Sequence, residues 1–375
     1  MPDIRPVSEQ ELCDAMAAAS AAGRPVALGG AFSKRLMNEA AGEPAATLST
    51  VGLRRVLEYQ PRDLTISVEA GLPFAELAAL LESNRQMVPL DPPCFDRATV
   101  GGVVASNSSG PRRRLYGAAR DMVIGMRFAR LDGTLASSGG MVVKNVAGFD
   151  LAKLMIGSFG TLAAISVVNF KLTPMPAETR TFVAEYVSAR ACFDARDRVL
   201  RGVLQPAAID VLNPAASRRV GVEGFALVIP AGGSHRVMDR YARELADARP
   251  VEGDREGALW TAIREFTPSF VAEHTGARVA RVSSTIEDAA RVAVSTDAPV
   301  VCRAGSGVSY LHFDGAASAE AWMERPIPRE WRYVFEYGPP ASNQASGPDF
   351  EVMLAIKNLF DPNRILNPGR LYGRI

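Results

Sequence analysis

Gly29-Gly30-Ala31-Phe32-Ser33-Lys34 follows the short apolar run Pro25–Leu28 and gathers small residues, a hydroxyl and an ammonium in one turn. Such a turn lets backbone N–H groups face outward, and Ser33 and Lys34 add donors, which is the equipment for receiving a phosphate. An ordinary strand-to-loop turn has the same composition, so this segment alone leaves both readings open. A second segment, ATVGGVVASNSSG from Ala98 to Gly110, carries no charge and no large aromatic. Such a run suits a backbone pressed against something flat and buried, either a ligand or a second protein element.

Other reactive groups are sparse. His235, His274 and His312 are the only histidines, without HxH or HxxxH spacing, and Cys13, Cys94, Cys192 and Cys302 lie apart without a CxxC pair. This argues against a disulfide framework and against a zinc or iron–sulfur site. No GxGxxG stands between a strand and a helix, which disfavours a nicotinamide-dependent Rossmann enzyme. Lys and Arg total 42 against 41 Asp and Glu, a formal net charge of +1, so no overall field attracts nucleic acid or an anionic membrane. The acidic N-terminus, with Asp3, Glu9 and Glu11, and the lack of any apolar run near ~18 residues predict a cytoplasmic chain without a transmembrane segment.

The elements that must position these residues are of α/β type. At 375 residues two domains are expected. Ser8 and Glu11 form a capping-box pattern ahead of Leu12, Met16 and Ala19, and Gly23 closes that helix. Residues 64–70 alternate as a strand, followed by a helix from Phe74 to Leu81. Asp132-Gly133 turns a hairpin whose first strand is Val123 to Phe128, and Ala164–Leu172 is a further strand. Pro174 and Pro176 mark a boundary, beyond which strands such as Phe225–Ile229 mix with helices such as Ser234–Ala248. The closing segment Phe350–Phe360 reads as a helix whose apolar positions Val352, Ile356, Leu359 and Phe360 sit on one side.

In order and spacing, ATVGG, the Asn-Ser-Ser-Gly turn, Tyr116-Gly117, Arg120-Asp121, the hairpin, Lys144 to Leu151 and Gly157-Ser158-Phe159-Gly160-Thr161-Leu162 resemble one family. That family is the vanillyl-alcohol oxidase and p-cresol methylhydroxylase (PCMH-type) FAD-binding superfamily. Pro89-Leu90-Asp91-Pro92-Pro93, Ser109 to Arg113 and the tail Phe360-Asp361-Pro362 with Asn367 to Tyr372 bring the likeness nearest to the E-subunit family of bacterial glycolate oxidases. The likeness covers residues 8–174 and the tail, and is faint across 175–345.

The resemblance implies an α+β fold: a two-subdomain PCMH-type FAD-binding domain over 1–174, an α+β cap over 175–345, and a segment 346–375 returning to the first domain. It implies that Gly29, Gly30, Ser33 and Lys34 meet the pyrophosphate, although the family usually has a third glycine where Ala31 and Phe32 stand. Pro92, Thr99, Gly101, Gly102, Ser106, Ser109 and Gly110 would line the pyrophosphate and flavin, the glycines letting main-chain N–H groups approach the cofactor. Asn145, Gly148, Asp150, Gly160, Thr161 and Ile165 would pack by the flavin and adenine ends; Asp150 reads equally as an N-cap for Leu151–Leu154.

Many members of the superfamily tether FAD through an early histidine or a cysteine near ATVGG. Here no histidine precedes His235 and Cys94 lies five residues before Thr99, so the FAD is expected to be non-covalent and Cys94 a buried, unreactive thiol. Relatives that oxidise 2-hydroxy acids use clustered cap histidines, whereas Gly305 to His312 reads as an eroded form of such a motif. His312 reads as an ordinary strand residue, leaving Arg264 and Arg303 as candidate carboxylate binders. The resemblance implies an FAD-binding oxidoreductase subunit without a metal, working with a homologous FAD-containing D subunit and an iron–sulfur F subunit on a small 2-hydroxy acid. A free-standing FAD-dependent 2-hydroxy-acid dehydrogenase is the alternative.

Overall fold

The computed structural model describes residues 3–38, 44–142, 149–338, 348–371, 373 and 375. They form two compact units, one from residues 1–109, 117–175 and 339–375, the other from residues 110–116 and 176–338. The short segment 110–116, read from sequence as part of the first domain, thus packs with the second unit. Arg114 fastens it there, donating from Nη1 to the carbonyl of Pro206 at 2.6 Å.

In the first unit Asp3–Ile4, Ala46–Ser49 and Val26–Gly29 make a small parallel sheet in that order. The helix Glu9–Ala22 packs on it through Leu12, Cys13 and Met16. Ser8 caps this helix by accepting from Glu11 N at 3.2 Å, but the carboxylate of Glu11 returns its bond to Val7 N, one residue earlier than a capping box requires. Gly23 ends the helix at φ 60, a left-handed conformation that glycine adopts without a Cβ penalty. A five-stranded antiparallel sheet follows in the order Val56–Gln60, Thr65–Glu69, Ala164–Lys171, Val123–Ala129, Leu135–Gly139. Asp132 closes its hairpin turn by accepting from Thr134 N at 3.0 Å.

The second unit holds an antiparallel sheet of eight described strands, from Arg249–Val251 at one edge to Arg332–Tyr337 at the other. The strand Phe225–Gly233 runs four residues beyond its expected end, and the helix after it is trimmed to His235–Glu244.

The C-terminal helix Pro348–Phe360 forms where the sequence places it, and two of its apolar residues face outward. Val352 and Leu359 are 58% and 79% exposed, while Phe350 and Lys357 are buried. Its rotation is set by charge. Lys357 Nζ lies 2.7 Å from the Asp361 carboxylate and donates to the carbonyls of Thr161 and Leu366 at 2.8 and 2.9 Å, while Asp361 also accepts from Ile365 N and Leu366 N. Both side chains are fully buried, and burial pushes the Lys357 ammonium below its ordinary value against the pull of Asp361. An enclosed ion pair with both carboxylate oxygens engaged fixes the rotation, which leaves Val352 and Leu359 exposed and Ile356 and Phe360 half-buried.

Asp361→Ala is expected to destabilise the protein by about 3–5 kcal/mol, because it strands a buried ammonium and two backbone N–H groups. Lys357→Met should cost less, since Asp361 keeps its two amide donors. Urea unfolding midpoints of the two variants check this ranking.

Candidate functional site

The loop after the strand Val26–Gly29 is built so that its carbonyls face protein. Gly30 O accepts from Ser49 Oγ at 2.9 Å and Gly29 O from Thr50 Oγ1 at 3.4 Å, both hydroxyls standing at the end of the neighbouring strand. Phe32 O accepts from Arg35 N and Lys34 O from Met37 N. Arg370 adds two bonds from the tail, to Lys34 O at 2.6 Å and Arg35 O at 2.9 Å. The N–H groups of Ala31, Phe32 and Ser33 find no acceptor among the described residues. Consecutive amides left open by a turn with one left-handed residue make an anion-binding nest. That residue is Phe32, at φ 51, so the place where a third glycine is usual is filled by a side chain that bears the strain.

These residues border a cavity of about 670 Å³ contained within the first unit, of a size that takes a cofactor. Thr99, Gly101, Gly102, Ala105 and Ser106 form its second wall, on and around the helix Val100–Ala105, which Thr99 caps. The glycines here divide their work. A Cβ on Gly30 would stand 2.0 Å from Thr99 Oγ1, and one on Gly101 would stand 2.7 Å from Ala70 Cβ, so both are required by protein packing. A Cβ on Gly102 would meet nothing closer than 3.1 Å, leaving that position open to the cavity. The N–H groups of Gly101 and Gly102 are already given to Ala70 O and Thr99 Oγ1. Against the expectation from the family, this wall therefore offers a cofactor bare surface, and the open amides lie in the Ala31–Ser33 turn.

Of the residues singled out from sequence, Gly29, Gly30, Ser33, Lys34, Thr99, Gly101, Gly102, Ser106, Gly160 and Ile165 line the cavity. Pro92, Ser109 and Thr161 do not, and Gly110 belongs to the second unit. Thr161 is buried behind the wall, its Oγ1 donating to Ser158 O at 2.7 Å. Asp150 is exposed, paired with Lys153 at 2.7 Å, and caps no helix: Leu151 takes the N-cap position of Ala152–Met155 without a side-chain bond. Asn145 and Gly148 lie outside the described residues. Sequence reading missed Asn367 and Arg370, which line the cavity from the tail. Asn367 pairs with both polar groups of Leu28, accepting from N and donating to O at 2.8 Å, and also donates to Phe159 O. Its signal was the Asn-Pro-Gly turn, noted for its likeness but not for this bridging amide.

In the second unit the residues singled out from sequence are already engaged. His312 is fully buried against Phe266 and Phe270, its Nδ1 3.1 Å from Pro299 O and its Nε2 2.8 Å from Thr267 Oγ1. Nδ1 therefore carries the proton and the ring is neutral, burial pushing its pKa down to about 3. Arg303 is paired with buried Asp210 and Arg264 with Glu265. Burial also pushes the Cys192 and Cys302 thiols up to about 12. Among the described residues no cluster of His, Cys, Asp or Glu could hold a metal ion.

Residues 3–139 match the model of the FAD binding domain, and residues 340–371 that of the C-terminal domain of FAD linked oxidases. p-Cresol methylhydroxylase shares the fold at a TM-score of 0.74 and 14% identity, with 99% of this chain and 88% of that one covered. The class is thus an α+β flavoprotein of the PCMH type, an FAD-linked oxidoreductase. Glycolate oxidase subunit GlcE of Escherichia coli (strain K12) is 30% identical over 94% of this chain and 93% of its own length. Glycolate oxidase subunit GlcD of Bacillus subtilis (strain 168) is 24% identical over 86% and 78%. This chain belongs to the glycolate oxidase subunit GlcE family, and its cofactor is FAD. The donor set fits: a nest of amides suits a pyrophosphate, and a side-chain-free face at Gly102 suits a flat group.

Gly102→Trp is expected to abolish FAD binding while the purified variant keeps its circular dichroism, because Gly102 lines the cavity and a Cβ there meets only Thr99 Oγ1, at 3.1 Å. Stoichiometric flavin absorbance in that variant contradicts the placement. His312 yields a pH prediction. The unfolded imidazole protonates near 6.5 and the folded one only near 3, so between these values the unfolded state binds more protons and stability falls as pH falls. The slope is at most about 1.4 kcal/mol per pH unit, and the contribution is complete above pH ~6.5. His312→Gln should flatten the decline of the melting temperature between those limits relative to wild type.

Proposed function

We propose that this chain is the FAD-binding subunit of a glycolate oxidase complex, holding a non-covalent FAD beside a homologous subunit that oxidises glycolate to glyoxylate and passing electrons toward an iron–sulfur subunit. The observation that carries the reading is a complete cofactor cavity in a chain whose second unit offers no ready base. Removing hydride from a 2-hydroxy acid needs a base for the hydroxyl proton, worth typically ~10²–10⁴ in rate, and a cation for the carboxylate. His312 is enclosed and neutral, His274 Nδ1 is bonded to Phe270 O, and His235 is 75% exposed between Glu178 and Asp239. Arg264 and Arg303 already serve carboxylates of the chain itself.

When bound, FAD supplies the electron-accepting group; this chain's residues bind and orient it. Non-covalent binding is supported by the absence of histidine before His235 and by Cys94, which is buried, bonded to Ser33 O and not among the residues lining the cavity.

Mixed anaerobically with glycolate or D-lactate, the isolated FAD-loaded chain should keep its flavin oxidised for minutes, and reduction should appear once the partner subunits are added. Acid precipitation should then leave all the FAD in the supernatant. Rapid bleaching of the lone chain by glycolate, stopped by His312→Ala, would instead make it a free-standing 2-hydroxy-acid dehydrogenase.

A further inference from the structure

We propose that the second unit carries a binding site for a small polyanion at the edge strand Arg249–Val251, separate from the FAD cavity. A cavity of about 840 Å³ opens there, and all the residues lining it belong to this unit. Three arginines from three elements line it: Arg219 at the end of the helix Pro214–Arg219, Arg249 on the edge strand, and Arg255 in the first turn of the helix Gly253–Arg264. The one carboxylate in the lining, Glu252, is engaged by Arg180 at 2.5 Å.

The arginines are held from behind. Arg219 pairs through Nη2 with Glu273, and its guanidinium lies 5.6 and 5.2 Å from the ring centres of Phe266 and Phe270. Arg249 faces Glu185 at 3.5 Å. Neither Glu273 nor Glu185 lines the cavity. The acids thus hold Arg219 and Arg249 without occupying the space. Arg219 Nε and Nη1, and the whole guanidinium of Arg255, find no acceptor among the described residues. Planar forks with open N–H groups are the usual receptors for phosphate and carboxylate oxygens.

The rest of the cavity is apolar and roomy. Val222 and Val251 belong to the unit's buried core, and Val220 and Leu259 pack against it. The helix presents Arg255, Ala258, Leu259 and Ala262, one face at helical spacing, and Gly221 has open space where a Cβ would stand. A ligand with two or more acidic oxygens and a flat apolar body satisfies both halves, its oxygens meeting the arginines and its body covering the valine and leucine floor.

The test is calorimetric titration of the FAD-loaded chain, so that the cofactor cavity is filled. 1-Naphthyl phosphate probes phosphate chemistry, benzene-1,3,5-tricarboxylate probes carboxylate chemistry, and 1-naphthol is the uncharged control. One of the two anions should bind at one site per chain, more weakly as salt is raised. Arg255→Ala and Arg219→Gln should each lower that affinity by about tenfold or more, while Arg190→Ala, an exposed arginine outside the cavity, should leave it unchanged. Leu259→Trp, which fills the cavity without removing charge, should also abolish binding. Failure of both anions to bind, equal binding by 1-naphthol, or wild-type affinity in the Arg255 and Leu259 variants overturns the proposal.

Discussion

Lys357 and Asp361 meet in the interior of the first unit, and most of its order can be traced from that contact. Two charges without water are costly, and here the cost is offset by geometry: three acceptors for one ammonium, two amide donors for one carboxylate. Those partners come from the turn at Thr161 and the strand-like run at Ile365–Leu366. Satisfying the pair therefore brings the tail against the sheet. Once there, Leu366 bridges Val26 in parallel, and Asn367 hydrogen-bonds Leu28 as another strand's backbone would. The chain's last segment completes a sheet that its first segment began.

This closure reaches the cofactor cavity through Asn367 and Arg370. Arg370 takes the carbonyls of Lys34 and Arg35, while Ser49 and Thr50 take those of Gly30 and Gly29. A peptide group fixed by its carbonyl has its N–H aimed as well. The amides of Ala31, Phe32 and Ser33 are thus organised by bonds made on the opposite side of the backbone, and anion binding then requires little reorganisation of the loop.

How far the sequence was legible follows from the range of the forces involved. Local signals were readable: the Ser8 cap, the Gly23 terminus, the Asp132-Gly133 turn and the small-residue wall all act over a few residues. The family likeness supplied the fold and FAD, because ordered motifs record a backbone path that periodicity alone cannot. Reading failed where a distant partner decided the outcome. Val352, Ile356, Leu359 and Phe360 do not by themselves say which side of the closing helix faces inward, because that is decided by Asp361, Thr161 and Leu366 around Lys357. Gly101 and Gly102 are identical in sequence terms, yet a Cβ on the first would run into Ala70 while one on the second would meet only Thr99 Oγ1 at 3.1 Å, a distinction that depends on a residue about thirty positions away.

The charges of the second unit point the same way as its histidines. Arg281 bonds Glu336 at 2.7 Å beside Tyr310, and burial raises both Glu336 and Tyr310 above their ordinary values. Arg303, next in this cluster, is paired with Asp210 and lies 5.9 Å from the Tyr310 ring centre. Arg264, Arg281 and Arg303 each already have an internal carboxylate. To bind substrate there, the ligand would have to displace a partner with the same chemistry held at a much higher effective concentration. Burial that raises the Tyr310 phenol keeps it protonated, so it has no place for the hydroxyl proton at neutral pH. Its histidines and these paired arginines are thus committed to the unit's own fold, in keeping with the proposal that this chain holds FAD while a partner subunit meets the substrate.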